Sequence, residues 1–504
     1  LAESYVDAIL RADVYGVAIE SPLDEAPRLS ARLGNRVYFK REDLQPVFSF
    51  KLRGAHNKIA HLDDAALRRG VICSSAGNHA QGVALAARKR GIRAVIVMPK
   101  STPAIKVEAV RALGGEIVLF GDAYDDAYTH AQEIAAAEGL EFVHPFADPD
   151  VIAGQGTIAV ELARQWREIP DAVFVPIGGG GLVSGIGAYL KSCFPSIRIV
   201  GVEPFEAATM YESLRAGYPV KLDRVGMFAD GVAVKRVADT TFAIAQEVVD
   251  EIILVGTDEI CAAIKDIFED SRVLTEPAGA LAVAAIKRYV ETTGCVNQSL
   301  IAINSGANMN FDRLRHVSER AEIGEHREAL IAVEIPEQRG AFLHFSELIG
   351  ERNITEFNYR FHPTERAQIF VGVSLRDART ETKDLVTMLE ANGYTVLDLS
   401  DNEVAKLHIR HMVGGHVASL EHERIYRFEF PERPGALRAF LKAIGDPWNI
   451  SLFHYRNHGS DYGRVLAGVQ VPPAEFAEFK EHLDTLGYAY FDETENAAYR
   501  LFLA

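Results

Sequence analysis

Val173-Phe174-Val175-Pro176-Ile177-Gly178-Gly179-Gly180-Gly181-Leu182 passes from a short apolar run through four glycines into an apolar stretch, 182–194, with helical spacing. The run is too short for a buried helix and is bounded by glycine, so it reads as a buried strand. Glycines let backbone N–H groups converge on an anion, and the start of the following helix adds its positive dipole end. No Gly-Lys-Ser/Thr closes a nucleotide P-loop, and the glycines do not fall as G-x-G-x-x-G. The expected ligand is therefore a phosphate that is not carried on a nucleotide fingerprint.

Outward from this unit the same alternation continues from about Arg36 to Gly306. Residues 71–74, 94–98, 116–120, 172–177, 197–203 and 300–304 read as strands, and 81–90, 105–113, 123–138 and 156–167 as helices. This order predicts an α/β fold with a mostly parallel sheet covered by helices. At 504 residues the chain exceeds one hydrophobic core, so two or three domains are expected. The net charge of -17 opposes nucleic acid and anionic membranes as partners, and no uncharged run is long enough to span a bilayer. Cys73, Cys193, Cys261 and Cys295 are scattered, with no histidine at ligand spacing. No metal site and a reducing, cytoplasmic location are expected.

After Phe311 the texture changes, and a tandem repeat follows a charged stretch. Ile335-Pro336-Glu337-Gln338-Arg339-Gly340-Ala341-Phe342 returns as Phe430-Pro431-Glu432-Arg433-Pro434-Gly435-Ala436-Leu437, and Asn353 to Arg360 returns as Asn449 to Arg456. A period of roughly 95 residues is too long for a solenoid unit, so each copy should be a small domain. Each copy reads strand, helix, strand, strand, helix, strand, the ferredoxin-like α+β order. The expected boundaries are 1–320 for the first domain, with a small subdomain at about 46–145 inserted in it, then 327–413 and 421–504.

Chemistry concentrates in three further segments. Lys51 stands in Ser49-Phe50-Lys51-Leu52-Arg53-Gly54-Ala55, and an amine becomes an imine-forming nucleophile only where its surroundings lower its pKa. Asn78 sits in Ser74-Ser75-Ala76-Gly77-Asn78-His79, a turn after a strand; the turn also offers N–H groups and the Ser75 hydroxyl to a carboxylate. Ser305 follows the strand 300–304 and can donate its hydroxyl. An amine, a phosphate cradle, an amide and a hydroxyl together point to pyridoxal 5'-phosphate: the amine for its aldehyde, the amide for its ring oxygen, the hydroxyl for its ring nitrogen.

In these motifs the chain resembles the threonine dehydratase family of fold type II (tryptophan synthase β-like) pyridoxal-phosphate enzymes, in its long form with two C-terminal ACT-like domains. The resemblance covers essentially the whole length. It implies Lys51 as the imine lysine with Phe50 beside the cofactor, Asn78 at the ring oxygen, Gly178, Gly179, Gly180, Gly181 and Leu182 at the phosphate, and Ser305 at the ring nitrogen. It implies Ser75, Ala76, Gly77, Asn78 and His79 as the loop that receives substrate. Glu276, in Glu276-Pro277-Ala278-Gly279-Ala280, looks like part of a family motif near the cofactor, although a helix-start carboxylate is the simpler account of it.

Two departures from related racemases matter. Those enzymes resemble this chain but carry a serine where it has Ala76, so racemisation is disfavoured. They also place an acidic cation ligand where Glu203-Pro204-Phe205-Glu206-Ala207-Ala208 leads to Thr209. The activity implied is deamination of L-threonine to 2-oxobutanoate and ammonia, with L-serine as a secondary substrate, in a homotetramer inhibited by isoleucine and activated by valine. Tyr359, Arg360, Tyr455 and Arg456 are the candidate effector residues, because arginine can clamp a carboxylate and tyrosine can cover an aliphatic side chain. The alternatives are serine deamination, β-replacement as in cysteine-synthase-like enzymes, and a catalytically silent amino-acid sensor, against which the intact Lys51 argues.

Overall fold

The apolar run before the glycine tetrad is a fully buried strand, Ala172–Pro176, near the middle of a six-stranded sheet. Read across, that sheet runs Leu23–Glu25, Arg36–Arg41, Ser299–Asn304, Ala172–Pro176, Arg198–Pro204, Glu251–Val255, with only the first pair antiparallel. Burial on both faces explains why the central runs, Ala172–Pro176 and Ser299–Asn304, are nearly continuously apolar rather than alternating. Each Val or Phe side chain they bury is worth about 1.5–3 kcal/mol. A second, all-parallel sheet follows the order Glu116–Leu119, Ala94–Met98, Val71–Ser74, Glu141–Phe142.

This computed structural model describes residues 1–361, 366–412, 414–415, 417, 420–431, 436–444, 447–456, 462–496 and 499. The chain divides into two units, Leu1–Ala321 and Glu322–Ala504. Both sheets above belong to the first. In the second, one eight-stranded antiparallel sheet runs Thr395–Asp398, Glu328–Pro336, Arg366–Ser374, Ile354–Arg360, Asn449–Arg456, Tyr462–Gln470, Glu423–Pro431, Ala489–Asp492. The two copies of the repeat join edge to edge where Ile354–Arg360 pairs with Asn449–Arg456, from Glu356 opposite Arg456 to Arg360 opposite Leu452. Each copy thereby covers the other's open edge strand. Residues 432–435, part of the repeated motif, lie outside the described residues.

One helix differs clearly from its sequence reading. Pro149–Gln165 begins seven residues before the expected 156, because the Asp148 carboxylate accepts from the N–H groups of Asp150 and Val151, and Pro149 occupies the first turn. Asp-Pro is the start signal, and the two glycines inside the helix mask the periodicity.

Candidate active site

The first unit brings its motif segments together at the carboxyl ends of parallel strands, where open α/β sheets place their sites. Lys51 opens the helix Lys51–Ala60. The turn before it is tied to the end of strand Ser299–Asn304: Ser49 bridges Gly306, and Phe50 N–H donates to Ser305 O at 3.3 Å. Phe48 in that turn holds a left-handed backbone, φ 55°, an uncommon conformation for a bulky residue.

The Lys51 ammonium donates to the Pro145 carbonyl at 2.9 Å and lies 5.3 Å from the centre of the Phe50 ring. Burial pushes its pKa down to about 8, with Glu276 pulling the other way. Phe146, the next residue after Pro145, packs on the glycine tetrad. A Cβ on Gly179 would lie 2.2 Å from the Phe146 ring, and one on Gly181 would lie 2.7 Å from Phe146 O. The stretch after strand Glu141–Phe142 is therefore the hub that joins lysine and glycines. His144 shapes it by accepting from the N–H groups of Phe146 at 3.3 Å and Ala147 at 3.0 Å through Nδ1. Burial beside Lys51 holds His144 down at about 4, so it stays neutral.

The tetrad itself turns on Gly180, whose φ of +91° a side chain would strain. It opens the helix Gly181–Cys193, whose start carries no side-chain cap. Thr241 Oγ1 donates to Gly179 O at 2.7 Å and braces the loop from behind. Leu182 is buried among the apolar residues under it. The first-turn N–H groups are thus left for a ligand.

Asn78 begins the helix Asn78–Arg90, and its amide donates to Glu276 Oε1 at 2.6 Å. Ser75, Ala76, Gly77 and Asn78 are half-buried, and a Cβ on Gly77 would meet nothing within 4 Å, so the loop borders open space. His79 differs from its neighbours. Its ring is buried, Nε2–H donates to Val143 O at 2.8 Å, and burial beside Lys51 lowers its pKa to about 3. Its imidazole supports the hub and is not turned to the open side. Ser305 is buried, and its hydroxyl makes only a long contact, 3.3 Å, to Ala278 O. Thr209 Oγ1 donates to Val234 O, and Glu203 accepts from the N–H groups of Met210 and Tyr211.

Arg53, two residues beyond Lys51, has no stated role in the sequence reading. It is fully buried between Glu42 and Glu161, at 2.8 and 2.6 Å, and also reaches Thr157 Oγ1 at 3.1 Å and Ile19 O at 3.2 Å. Lys40 completes the network through Glu161 at 2.6 Å. This clamp fixes the helix that presents Lys51. Its place inside the lysine motif is its sequence signal.

The residues fit pyridoxal 5'-phosphate. An amine with a lowered pKa shares the Pro145-Phe146 hub with an uncapped, side-chain-free cradle, and buried polar atoms without partners collect beside the strand ends: Ser74 Oγ, Thr275 Oγ1 and both amide atoms of Asn304. Residues 15–306 match the family described as pyridoxal-phosphate dependent enzyme, and residues 319–409 and 414–503 match the C-terminal regulatory domain of threonine dehydratase. The biosynthetic L-threonine dehydratase of Burkholderia multivorans is 55% identical over 506 residues, 100% of both chains. The chain belongs to the threonine dehydratase family. The corresponding Escherichia coli protein is 52% identical over 500 residues, 99% of this chain and 97% of its own. Among solved structures, the processed threonine deaminase isoform 2 of Solanum lycopersicum matches with a TM-score of 0.62 at 51% identity, covering 64% of this chain and 93% of that one. The family's cofactor, pyridoxal 5'-phosphate, and its C-terminal regulatory domain, present in two copies, are those of this chain.

The candidate effector residues are not brought together as a pair. Tyr359 lies in the apolar cluster of the second unit, its ring 4.7 Å from that of Phe342 and its hydroxyl donating to Glu337 Oε1 at 2.6 Å. Arg360 grips Glu423 with two bonds, at 2.5 and 3.2 Å. Neighbours on one strand point to opposite faces, so no single pocket receives both. Tyr455 is buried in the same cluster as Tyr359, and the Arg456 side chain lies outside the described residues. A small cleft opens instead beside Glu337, lined by Ile335, Arg339, Leu441, Ile444 and Trp448 among others.

Proposed function

We propose that the chain deaminates L-threonine to 2-oxobutanoate and ammonia, with L-serine as a secondary substrate, and that isoleucine inhibits and valine activates it. When bound, the cofactor supplies an electron sink for the pair left at Cα when its proton departs. Lys51 provides the base: an amine with a pKa near 8 is poised to take a proton and return it close to neutral pH. Substrate carboxylate is received by the N–H groups and hydroxyl of Ser75 to Asn78. Ser305 would meet the ring nitrogen as a neutral donor and Asn78 the ring oxygen, and Gly178 to Leu182 with Phe50 would hold the remainder. The Cα–H and Cβ–O bonds break, the hydroxyl leaves as water, and the released enamine takes up water to lose ammonia.

The observation that carries this reading is the hub, Pro145-Phe146, which puts the Lys51 amine and the glycine cradle on adjacent residues. Steady-state 2-oxobutanoate formation tests it. The unaltered chain should turn over threonine, and Lys51→Ala should lose roughly 10²–10⁴-fold from the missing base alone. Normal turnover by that variant would remove Lys51 from the mechanism.

For regulation, the proposed catalytic part is 1–320 and the proposed effector modules are 327–413 and 421–504, in a homotetramer. The cleft beside Glu337 offers a carboxylate for an ammonium, Arg339 for a carboxylate, and Leu441, Ile444 and Trp448 for a branched side chain. An effector there can change activity only by its differential affinity for two conformations.

A further inference from the structure

One carboxylate of the site has no part in the chemistry above. Glu276 precedes the helix Pro277–Thr293, yet its side chain makes no capping bond to that helix. Its backbone is pinned to the turn after Ser299–Asn304: Glu276 N–H donates to Gly306 O at 3.2 Å, and Gly279 comes so close that a Cβ there would lie 2.2 Å from Gly306 O. The side chain crosses this turn, passing where a Cβ on Gly306 would lie 2.6 Å from Oε1, and meets the amide of Asn78.

A chain of amides determines which way round Asn78 stands. Val47 O is a carbonyl and only accepts, so the group of Asn308 that faces it at 2.8 Å is the NH₂. The same nitrogen gives its other hydrogen to Asn78 at 2.7 Å, which makes the facing atom of Asn78 its oxygen. The Asn78 nitrogen is then left opposite Glu276, which accepts from it at 2.6 Å. Turning the Asn78 amide over would set NH₂ against NH₂ at one end and carbonyl against carboxylate at the other. The Asn308 end therefore selects the orientation, and Glu276 in its ionised form selects the same one. Glu276 takes one of the two Asn78 hydrogens, which leaves the second for a ligand oxygen. The charged groups around Glu276 are Asp230, Lys106, Arg313 and Lys51, and Asp230 is itself held by Lys106 at 2.7 Å and Arg313 at 3.1 Å.

We propose that Glu276 and Asn308 are positioning residues that lock the amide of Asn78, so that the ring oxygen of the cofactor always meets an N–H donor and never a carbonyl. This rests on the pyridoxal-phosphate reading of the site. Glu276 and Asn308 act through Asn78, and their removal should matter only while Asn78 is present.

The test is a double-mutant cycle read on cofactor affinity, with apo-protein titrated with pyridoxal 5'-phosphate and followed by absorbance and protein fluorescence. Glu276→Leu and Asn308→Leu should each weaken binding about tenfold and change the visible band, as expected for a lost bond to a buried amide. Glu276→Gln, which keeps an acceptor, should recover most of that loss. In an Asn78→Ala background, neither leucine variant should weaken binding further. Losses of the same size in both backgrounds would overturn the positioning role. Thermal unfolding of each apo-variant shows which ones fold, and if Glu276→Leu does not, Asn308→Leu and Glu276→Gln complete the cycle. Failure of the unaltered protein to take up the cofactor at Lys51 would defeat the underlying reading, whereas normal uptake with additive losses would defeat the positioning role alone.

Discussion

Four segments far apart in the sequence meet in the first unit, while Tyr359 and Arg360, adjacent in the sequence, part company in the second. The difference is one of strand geometry. Parallel strands deliver their carboxyl ends to one side, so Lys51, Asn78, Gly178 to Gly181 and Ser305 converge although each belongs to a different strand-end loop. Along a single strand, side chains alternate between faces, so a Tyr-Arg dipeptide supplies one group to the helix-covered core and the other to the opposite face. Motifs at strand ends can be read as a joint site. Dipeptides within a strand cannot.

The largest expected contrast between the two units comes from their buried arginines. Arg53→Met leaves Glu42 and Glu161 buried without their main partner and should cost about 3–5 kcal/mol, with a loss of turnover because the Lys51 helix is no longer clamped. Arg410→Met, which abandons Glu356 at 2.5 Å, should cost a similar amount in calorimetry and leave effector-free turnover unchanged. Equal effects on turnover would erase the contrast.

Buried carboxyls sharpen it next. Burial raises both Glu276 and Glu328 to about 7, Glu276 beside Asp230 and Glu328 despite Arg410 and the Thr355 hydroxyl. Each binds its proton more tightly in the folded than in the unfolded chain, so ligand-free stability should fall as pH rises from the ordinary carboxyl range through about 7, and level off above it. Relative to Glu276→Gln or Glu328→Gln, that fall should reach up to about 3 kcal/mol for each site, measured as Tm against pH. Only the first variant should alter the pH dependence of cofactor affinity.

Glycines give a smaller effect. Gly180→Ala, at φ +91° with Met210 and Thr241 within 3 Å of the new Cβ, should weaken cofactor binding about tenfold. Gly350→Ala, at φ +74° with nothing within 4 Å, should cost about 1 kcal/mol of stability and leave the cofactor alone. The smallest effect is on the effector response. Tyr359→Phe, which breaks the bond to Glu337 beside the cleft, should shift isoleucine inhibition severalfold, and Arg360→Met should not shift it; the reverse result would place the pocket on the other face.

Much of the first unit was legible. The strands Val71–Ser74 and Ala94–Met98 stand where their apolar runs ended in turn residues, and the ferredoxin-like order of each repeat follows its hydrophobic pattern. The start of Pro149–Gln165 was hidden because its internal glycines break the helical period that its cap initiates. In the candidate site, lysine, amide, hydroxyl and glycines announce themselves by type and setting. Pro145 and Phe146 do not, because a backbone carbonyl and a packed ring have no sequence signature. Glu276 stands out in the sequence only as part of a motif with no role attached, and Asn308 not at all, for a related reason: their effect lies in the direction of a hydrogen-bond chain, which only coordinates reveal.

The central claim is that Lys51 carries the cofactor. Borohydride reduction of the holoenzyme followed by peptide mass spectrometry tests it most directly. The account predicts a pyridoxyl group on the peptide containing Lys51 and on no other; an adduct on a different lysine, or none at all, would contradict it.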